Sequence, residues 1–180
     1  QTYTADTVII STGASARWLG LESETKFQNN GVSACATCDG FFFQDQDVCV
    51  VGGGNSAVEE ALYLSKIAKS VTLIHRRDSL RAEQILQDRL FADEKINVIW
   101  NSTVEEIMGD ETVNKIKLKS TEDDSLVELE TNGVFIAIGH DPATSIFKGH
   151  VDMDHEGYIK VKPNSTATNN GALVVTGGVG

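Results

Sequence analysis

The sequence predicts an α/β protein in which a doubly wound parallel sheet is joined to an antiparallel meander. Three observations carry that reading. Apolar, strand-like runs alternate with helical stretches between residues 47 and 100. A glycine-rich turn, Gly52-Gly53-Gly54-Asn55-Ser56-Ala57, joins the first of these runs to the first helix. Three shorter segments with period-two patterning then follow, separated by turn residues.

In chain order, residues 6–11 form a short β-branched run that ends in Thr12-Gly13-Ala14, a strand and turn. Residues 15–30 read as irregular and close on Asn30-Gly31. Residues 47–51 are continuously apolar, as in a strand covered on both faces. Residues 55–69 place Val58, Ala61, Leu62 and Ala68 at helical spacing, with Glu59 and Glu60 early and Lys66 and Lys69 late. That charge order suits the helix dipole. Residues 71–74 are the next strand, 82–93 a second helix with Ile85, Leu86, Leu90 and Phe91 on one face, and 97–100 a third strand. Residues 103–108, 113–119 and 126–130 alternate as a meander with turns at Gly109-Asp110 and Asp123-Asp124-Ser125. Residues 134–138 return to the parallel sheet. The pieces at 158–161 and 172–176 do not continue the pattern. Residues 15–139 are thus expected to be one domain, with 1–14 and 140–180 as parts of another.

The 180 residues can bury a core, and 41% hydrophobic with 23% charged is ordinary for a globular chain. A net charge of −11 argues against nucleic acid, and no apolar run approaches the ~20 residues of a membrane span. The chain has no initiator Met and both ends break into a pattern, so it reads as a fragment. Three cysteines are too few for a secreted disulfide framework. Cys35 and Cys38 form a CxxC, whereas Cys49 sits inside the apolar run and reads as a buried, inert residue. A lone CxxC without a secretory context points to a reducing compartment. The cytoplasm is the expectation, with an organellar stroma or matrix as the alternative.

Gly52-x-Gly54-x-x-Ala57 between a strand and a helix is the context of a dinucleotide turn, and so of a Rossmann-like FAD/NAD(P)-binding fold. Gly52 permits the tight turn, and Gly54 leaves room for a pyrophosphate. Ala57 is small enough for close packing, and the helix start at Asn55-Ser56 offers unpaired N–H groups. The bland alternative is a plain structural turn. Past the second strand an NAD site places an acid, but this chain has His75-Arg76-Arg77, with Arg81 one turn on. Guanidinium forks match a 2′-phosphate, so NADP(H) is the expected nucleotide. A solvated basic turn is the competing reading. The CxxC can cycle between dithiol and disulfide, and a helix start would lower a thiol's pKa. Gly40, with the preceding Gly31-Val32-Ser33, is expected to leave this turn mobile. Asp39, beside Cys38, can give or take a proton. Half a zinc site is the alternative, but no second CxxC or HxxxH supplies the other ligands, and no metal site is assigned.

Together, Ala34-Cys35-Ala36-Thr37-Cys38-Asp39-Gly40-Phe41-Phe42, the 52–61 glycine-turn segment, His75-Arg76-Arg77-Asp78 and Ala137-Ile138-Gly139-His140 resemble low-molecular-weight thioredoxin reductases over nearly the whole chain. The resemblance implies a two-lobed flavoenzyme in which NADPH reduces FAD, FAD reduces the disulfide, and the dithiol reduces thioredoxin. It implies that the NADPH lobe carries the Cys35–Cys38 pair and rotates between two stations, with Asp39 as the acid. Arg76, Arg77 and Arg81 would contact the 2′-phosphate, Ile138, Gly139 and His140 would complete the cofactor site, and His140 would also lie at the hinge. A homodimer is implied for the full-length parent. Two departures stand out. The family's first glycine motif is not in this sequence, and Gly177-Gly178-Val179 replaces its Gly-Asp-Val, so this polypeptide is not expected to hold FAD itself. The segment Thr168-Asn169-Asn170-Gly171 also lacks the family's proline. The rivals are a non-catalytic NADP-binding or redox-sensing module, and a related disulfide reductase with another partner.

Overall fold

Burial alternates along residues 47–52 in a way that dictates the architecture. Val48 and Val50 belong to one apolar cluster, Cys49 and Val51 to another, and all four are buried. A strand packed on both faces must lie inside a layered sheet.

The computed structural model describes residues 1–177, so Gly178 and Val179 of the departing segment lie outside the described residues. The chain opens with strands β1 (Val8–Ile10) and β2 (Ala14–Ala16), helix α1 (Glu22–Phe27) and strand β3 (Val32–Ser33). Helix α2 (Ala36–Asp39) runs into a 3-10 turn at Gly40–Phe43, followed by strand β4 (Asp47–Gly52) and helix α3 (Asn55–Leu64). Strand β5 (Ser70–Ile74), helix α4 (Gln84–Phe91) and strand β6 (Ile96–Ile99) complete the alternation. The meander is β7 (Ser102–Gly109), β8 (Val113–Ser120) and β9 (Leu126–Glu130). Then come β10 (Gly133–Ala137), β11 (His140–Pro142), and β12 (Leu173–Val175). Two compact units result, Gln1–Ala16 with His140–Gly180, and Arg17–Gly139. Among the described residues no helix is long and apolar enough to cross a membrane.

In the Arg17–Gly139 unit the parallel sheet has the order β3-β10-β4-β5-β6, with Phe135 opposite Val50 and Val50 opposite Leu73. One face packs on α3, whose Ala57, Val58, Ala61 and Leu64 form a fully buried stripe, and on Leu90 of α4. The other face packs on the meander, through Val104, Ile107, Ile116 and Leu118, and on Phe27 of α1. The parallel sheet and meander match expectation, including the return of β10 to the sheet beside β4.

The differences have local causes. Residues 15–30 are not irregular, because they contain β2 and α1. α1 has six residues with one buried hydrophobe, Phe27, too few for a periodic signal. What fixes it is Glu24, a buried acid whose carboxylate accepts from the amides of Leu19 (2.8 Å) and Gly20 (2.9 Å). α3 stops at Leu64 rather than 69, because Lys66 and Ile67 donate to carbonyls three residues back and tighten the turn. That turn swings Ala68 into the core. α4 starts at Gln84 because the preceding backbone is occupied: Arg81 N–H donates to the Gly53 carbonyl and Glu83 N–H to Asn55 Oδ1, both at 2.8 Å.

In the other unit β1 pairs parallel with β12, and β2 antiparallel with β11, around Ile10, Val151, Ile159 and Val175.

The Phe135 ring is fully buried and meets Phe43 edge-on at 5.3 Å. Phe135→Ala should cost about 3–5 kcal/mol, read as a lower urea midpoint with little change in slope. An unchanged midpoint would contradict this packing.

Candidate functional site

The glycine turn after β4 is built by contact. A side chain at Gly52 would run into the Ala137 carbonyl and the Ala57 Cβ, and one at Gly53 into the His75 ring. Gly54 is different: nothing lies within 4 Å of where its Cβ would be. It caps α3 without a side-chain hydrogen bond, so the first amides of a ten-residue helix face open space.

That space is a cleft of about 550 Å³. Of the residues singled out by sequence, Gly52, Gly54, Ser56, His75, Arg76, Arg81, Ile138 and Gly139 line it. His75 is buried, and burial holds its imidazole below the ordinary value; the Gly52 and Ser79 backbone partly opposes this, and Arg77 and Arg76 add to it. The ring is therefore a neutral wall between strand and turn. Arg81 is tied to the turn by its own amide, on the Gly53 carbonyl. Arg76 and Arg81 thus bring two exposed guanidinium groups to a cleft headed by helix amides, the donor set a nucleotide's phosphates require.

The remaining expected residues are placed otherwise. Ala57 packs beneath Gly52 and Asn55 anchors Glu83, so both shape the turn without lining the cleft. Arg77 is exposed off the cleft, its carbonyl accepting from Asn101 N–H. His140 belongs to the other unit, where it pairs with Ala16. Sequence reasoning missed Gly53, Arg17 and the Ser102–Val104 stretch of β7, which also line the cleft. The triple glycine was the available signal for Gly53; nothing local marks the others.

The structure closes the CxxC as a Cys35–Cys38 disulfide. Cys35 is the N-cap of α2, and its Sγ accepts from Cys38 N–H at 3.2 Å. Cys38 is exposed and Cys35 half-buried. Ser33 organises the segment: its hydroxyl donates to Asp39 Oδ2 at 2.6 Å and accepts from Cys35 N–H at 3.0 Å. This corrects the expected mobile turn. Val32 and Ser33 are a buried strand paired with β10, and Gly40 is packed against Leu64 and Tyr63. The glycines serve close packing. Cys49 lies deep in β4, and burial pushes its thiol up to about 12.

Residues 1–179 match the pyridine nucleotide-disulphide oxidoreductase family. The chain belongs to that family. Similar members include the thioredoxin reductase of Rickettsia conorii (strain ATCC VR-613 / Malish 7), 53% identical over 98% of this chain and 58% of the relative. The thioredoxin reductase of Vibrio cholerae serotype O1 is 54% identical over 99% and 58%. Among solved structures, the thioredoxin reductase from Giardia duodenalis superposes with a TM-score of 0.88 at 37% identity, covering 98% of this chain and 58% of that one. The chain spans a little over half the length of these family members.

Two outcomes check the site. Alkylating the native chain before and after dithiothreitol should show a gain of two thiols, both on the Cys35–Cys38 peptide; a gain at Cys49 would refute the assignment. Gly53→Ala, which forces a methyl into the His75 ring, should cost about 1–3 kcal/mol in urea unfolding.

Proposed function

We propose that the whole protein is an NADPH-dependent thioredoxin-disulfide reductase whose Arg17–Gly139 unit binds the nucleotide and carries the redox pair. Gln1–Ala16 with His140–Gly180 is then part of the FAD lobe. The observation that carries this reading is the sign of the cleft. Arg76 and Arg81 stand where a site for unphosphorylated nucleotide would offer a carboxylate, and the same unit holds a disulfide.

The residues of this chain divide the work. The amides at the start of α3 and the side-chain-free space at Gly54 receive the pyrophosphate. Arg76 and Arg81 clamp the 2′-phosphate bidentately, with Arg77 adding field from outside the cleft. FAD, bound by the whole protein, supplies the two-electron relay between nicotinamide and disulfide. Among the described residues the Gln1–Ala16 with His140–Gly180 unit has no α-helix, and so no second helix start of the kind that Gly54 and α3 form. Asp39, oriented by Ser33, is the side chain beside the pair that can pass a proton to a leaving cysteine sulfur. Cys38 is exposed, and Phe41 and Phe42 stand exposed just after it, an apolar rim suited to a protein substrate such as thioredoxin. A pair that must be re-reduced at each turnover belongs in a reducing compartment, here taken as the cytoplasm. A homodimer is the proposed assembly of the whole protein.

Titrating wild type and Arg76→Ala with NADPH and NADH tests the nucleotide. Wild type should prefer NADPH, and the variant should lose about ten- to hundredfold of that affinity, as one charged phosphate contact of about 1.5–3 kcal/mol requires. Equal binding of NADH and NADPH by wild type would defeat the reading.

A further inference from the structure

α3 carries two adjacent acids, Glu59 and Glu60, and the structure treats them differently. Glu59 is exposed. Glu60 lies against α2, where the backbone amide of Ala36 favours its charged form, yet its Oε2 is buried with no hydrogen-bond partner. Burial outweighs the amide and pushes the carboxyl up to about 7. An open lone pair in an apolar setting is costly, and nothing in the nucleotide cleft uses this group.

Its position relates it to the disulfide. Ala36 follows Cys35 directly, and the Cys38 amide of the same turn donates to Cys35 Sγ. Glu60 and Cys35 therefore draw on two amides, those of Ala36 and Cys38, of one four-residue helix. While the pair is oxidised, Cys35 carries no charge. A thiolate formed there would add a negative charge one residue from the amide that Glu60 meets, and like charges at low dielectric oppose each other. The other titratable groups on elements packed against α3 do not decide its state. α2 brings Asp39, bound to Ser33; β4 brings Asp47, bound to Ser70 and Lys69, and the buried Cys49. α4 brings Asp88, which accepts from Gln84, and Arg89, while β5 and β10 bring none. Burial and the Ala36 amide are the influences on Glu60.

We propose that Glu60 is the proton store of the Cys35–Cys38 couple, taking up a proton when the disulfide is reduced and releasing it when the dithiol is reoxidised. The proposal rests on the reading of this disulfide as a pair that turns over. Reduction breaks the S–S bond with two electrons from a dithiol or the enzyme's own reductant. One accompanying proton makes the Cys38 thiol, the other makes the Glu60 carboxylic acid, and Cys35 remains a thiolate. Reoxidation by a substrate disulfide sends both electrons and both protons to the two substrate thiols. By reciprocity, protonated Glu60 stabilises the Cys35 thiolate as much as that thiolate stabilises the proton.

The test uses dithiothreitol, so it does not depend on nucleotide, flavin or thioredoxin. In a reduced-minus-oxidised infrared difference spectrum just above neutral pH, a protonated-carboxyl band should appear in wild type. It should vanish in Glu60→Gln and persist in Asp39→Asn. The dithiothreitol equilibrium gives a second readout, taken above the value of about 7 that Glu60 has in the oxidised protein and below the titration of dithiothreitol itself. Dithiothreitol delivers two protons, so in that window the wild-type constant should be nearly independent of pH. Glu60→Gln takes up one fewer, and its constant should rise about tenfold per pH unit. Should Glu60→Gln fail to fold, Glu60→Asp must shift the band. No band, a band lost only with Asp39, or the same pH dependence in both proteins would overturn the proposal. A disulfide that dithiothreitol cannot open would overturn the underlying reading of the pair, and this proposal with it.

Discussion

Everything in the larger unit depends on the contact between the end of β4 and the structures that crowd it. Gly52 meets the Ala137 backbone and Ala57, and Gly53 meets the His75 ring, so the turn has one shape open to it. Interiors are close-packed, and a turn without side chains is how three elements reach one point without a void. The same crowding leaves Gly54 as the single open position of the three, and the cleft begins there. The cleft is thus what remains after packing is satisfied on the other two.

The disulfide segment is held by a different kind of constraint. Its helix is too short to be stable by itself, since nucleation costs more than one turn returns. Polar ties replace length. Ser33, buried in the edge strand, binds the Cys35 amide and the Asp39 carboxylate at once, so the two ends of the redox turn share one hydroxyl. Below it Gly40 rests on Leu64 and Tyr63 of α3. The arrangement fixes the sulfurs and the neighbouring acid relative to the sheet, with Cys38 left accessible.

How much of this the sequence disclosed follows from signal length. β4, α3, β5 and the meander have periods long enough to read, and the glycine turn is marked by residue types that little else explains. α1 and β3 are six and two residues long, and they exist because Phe27 and Val32 fill the core shared with the meander. Tertiary packing of that sort leaves no local trace. The basic cluster was legible as a cluster, but its partition was not: Arg76 and Arg81 reach the cleft while Arg77 turns away. Arg17 and the start of β7 come from distant chain, and only the fold brings them to the glycines. The stretch Gly31-Val32-Ser33 was misread for a related reason, because its glycine drew attention to freedom when Val32 and Ser33 are paired in a sheet. The difference between Glu59 and Glu60 is invisible in one dimension.

α3 also acts as a ruler. Its first residues stand at the mouth of the cleft, and its side chains from Glu60 to Leu64 meet the disulfide segment. A helix of ten residues is about 15 Å of nearly incompressible rod, so the spacing between the two stations is set by helical rise and not by any loop. Phase is set along with length. One residue added or removed inside α3 would rotate everything beyond it by about 100°. Glu60, Tyr63 and Leu64 would then leave the disulfide segment, while the glycine turn stayed where β4 holds it. Loops elsewhere in this unit can change length at little cost, but this interval is a gauge that admits no intermediate setting.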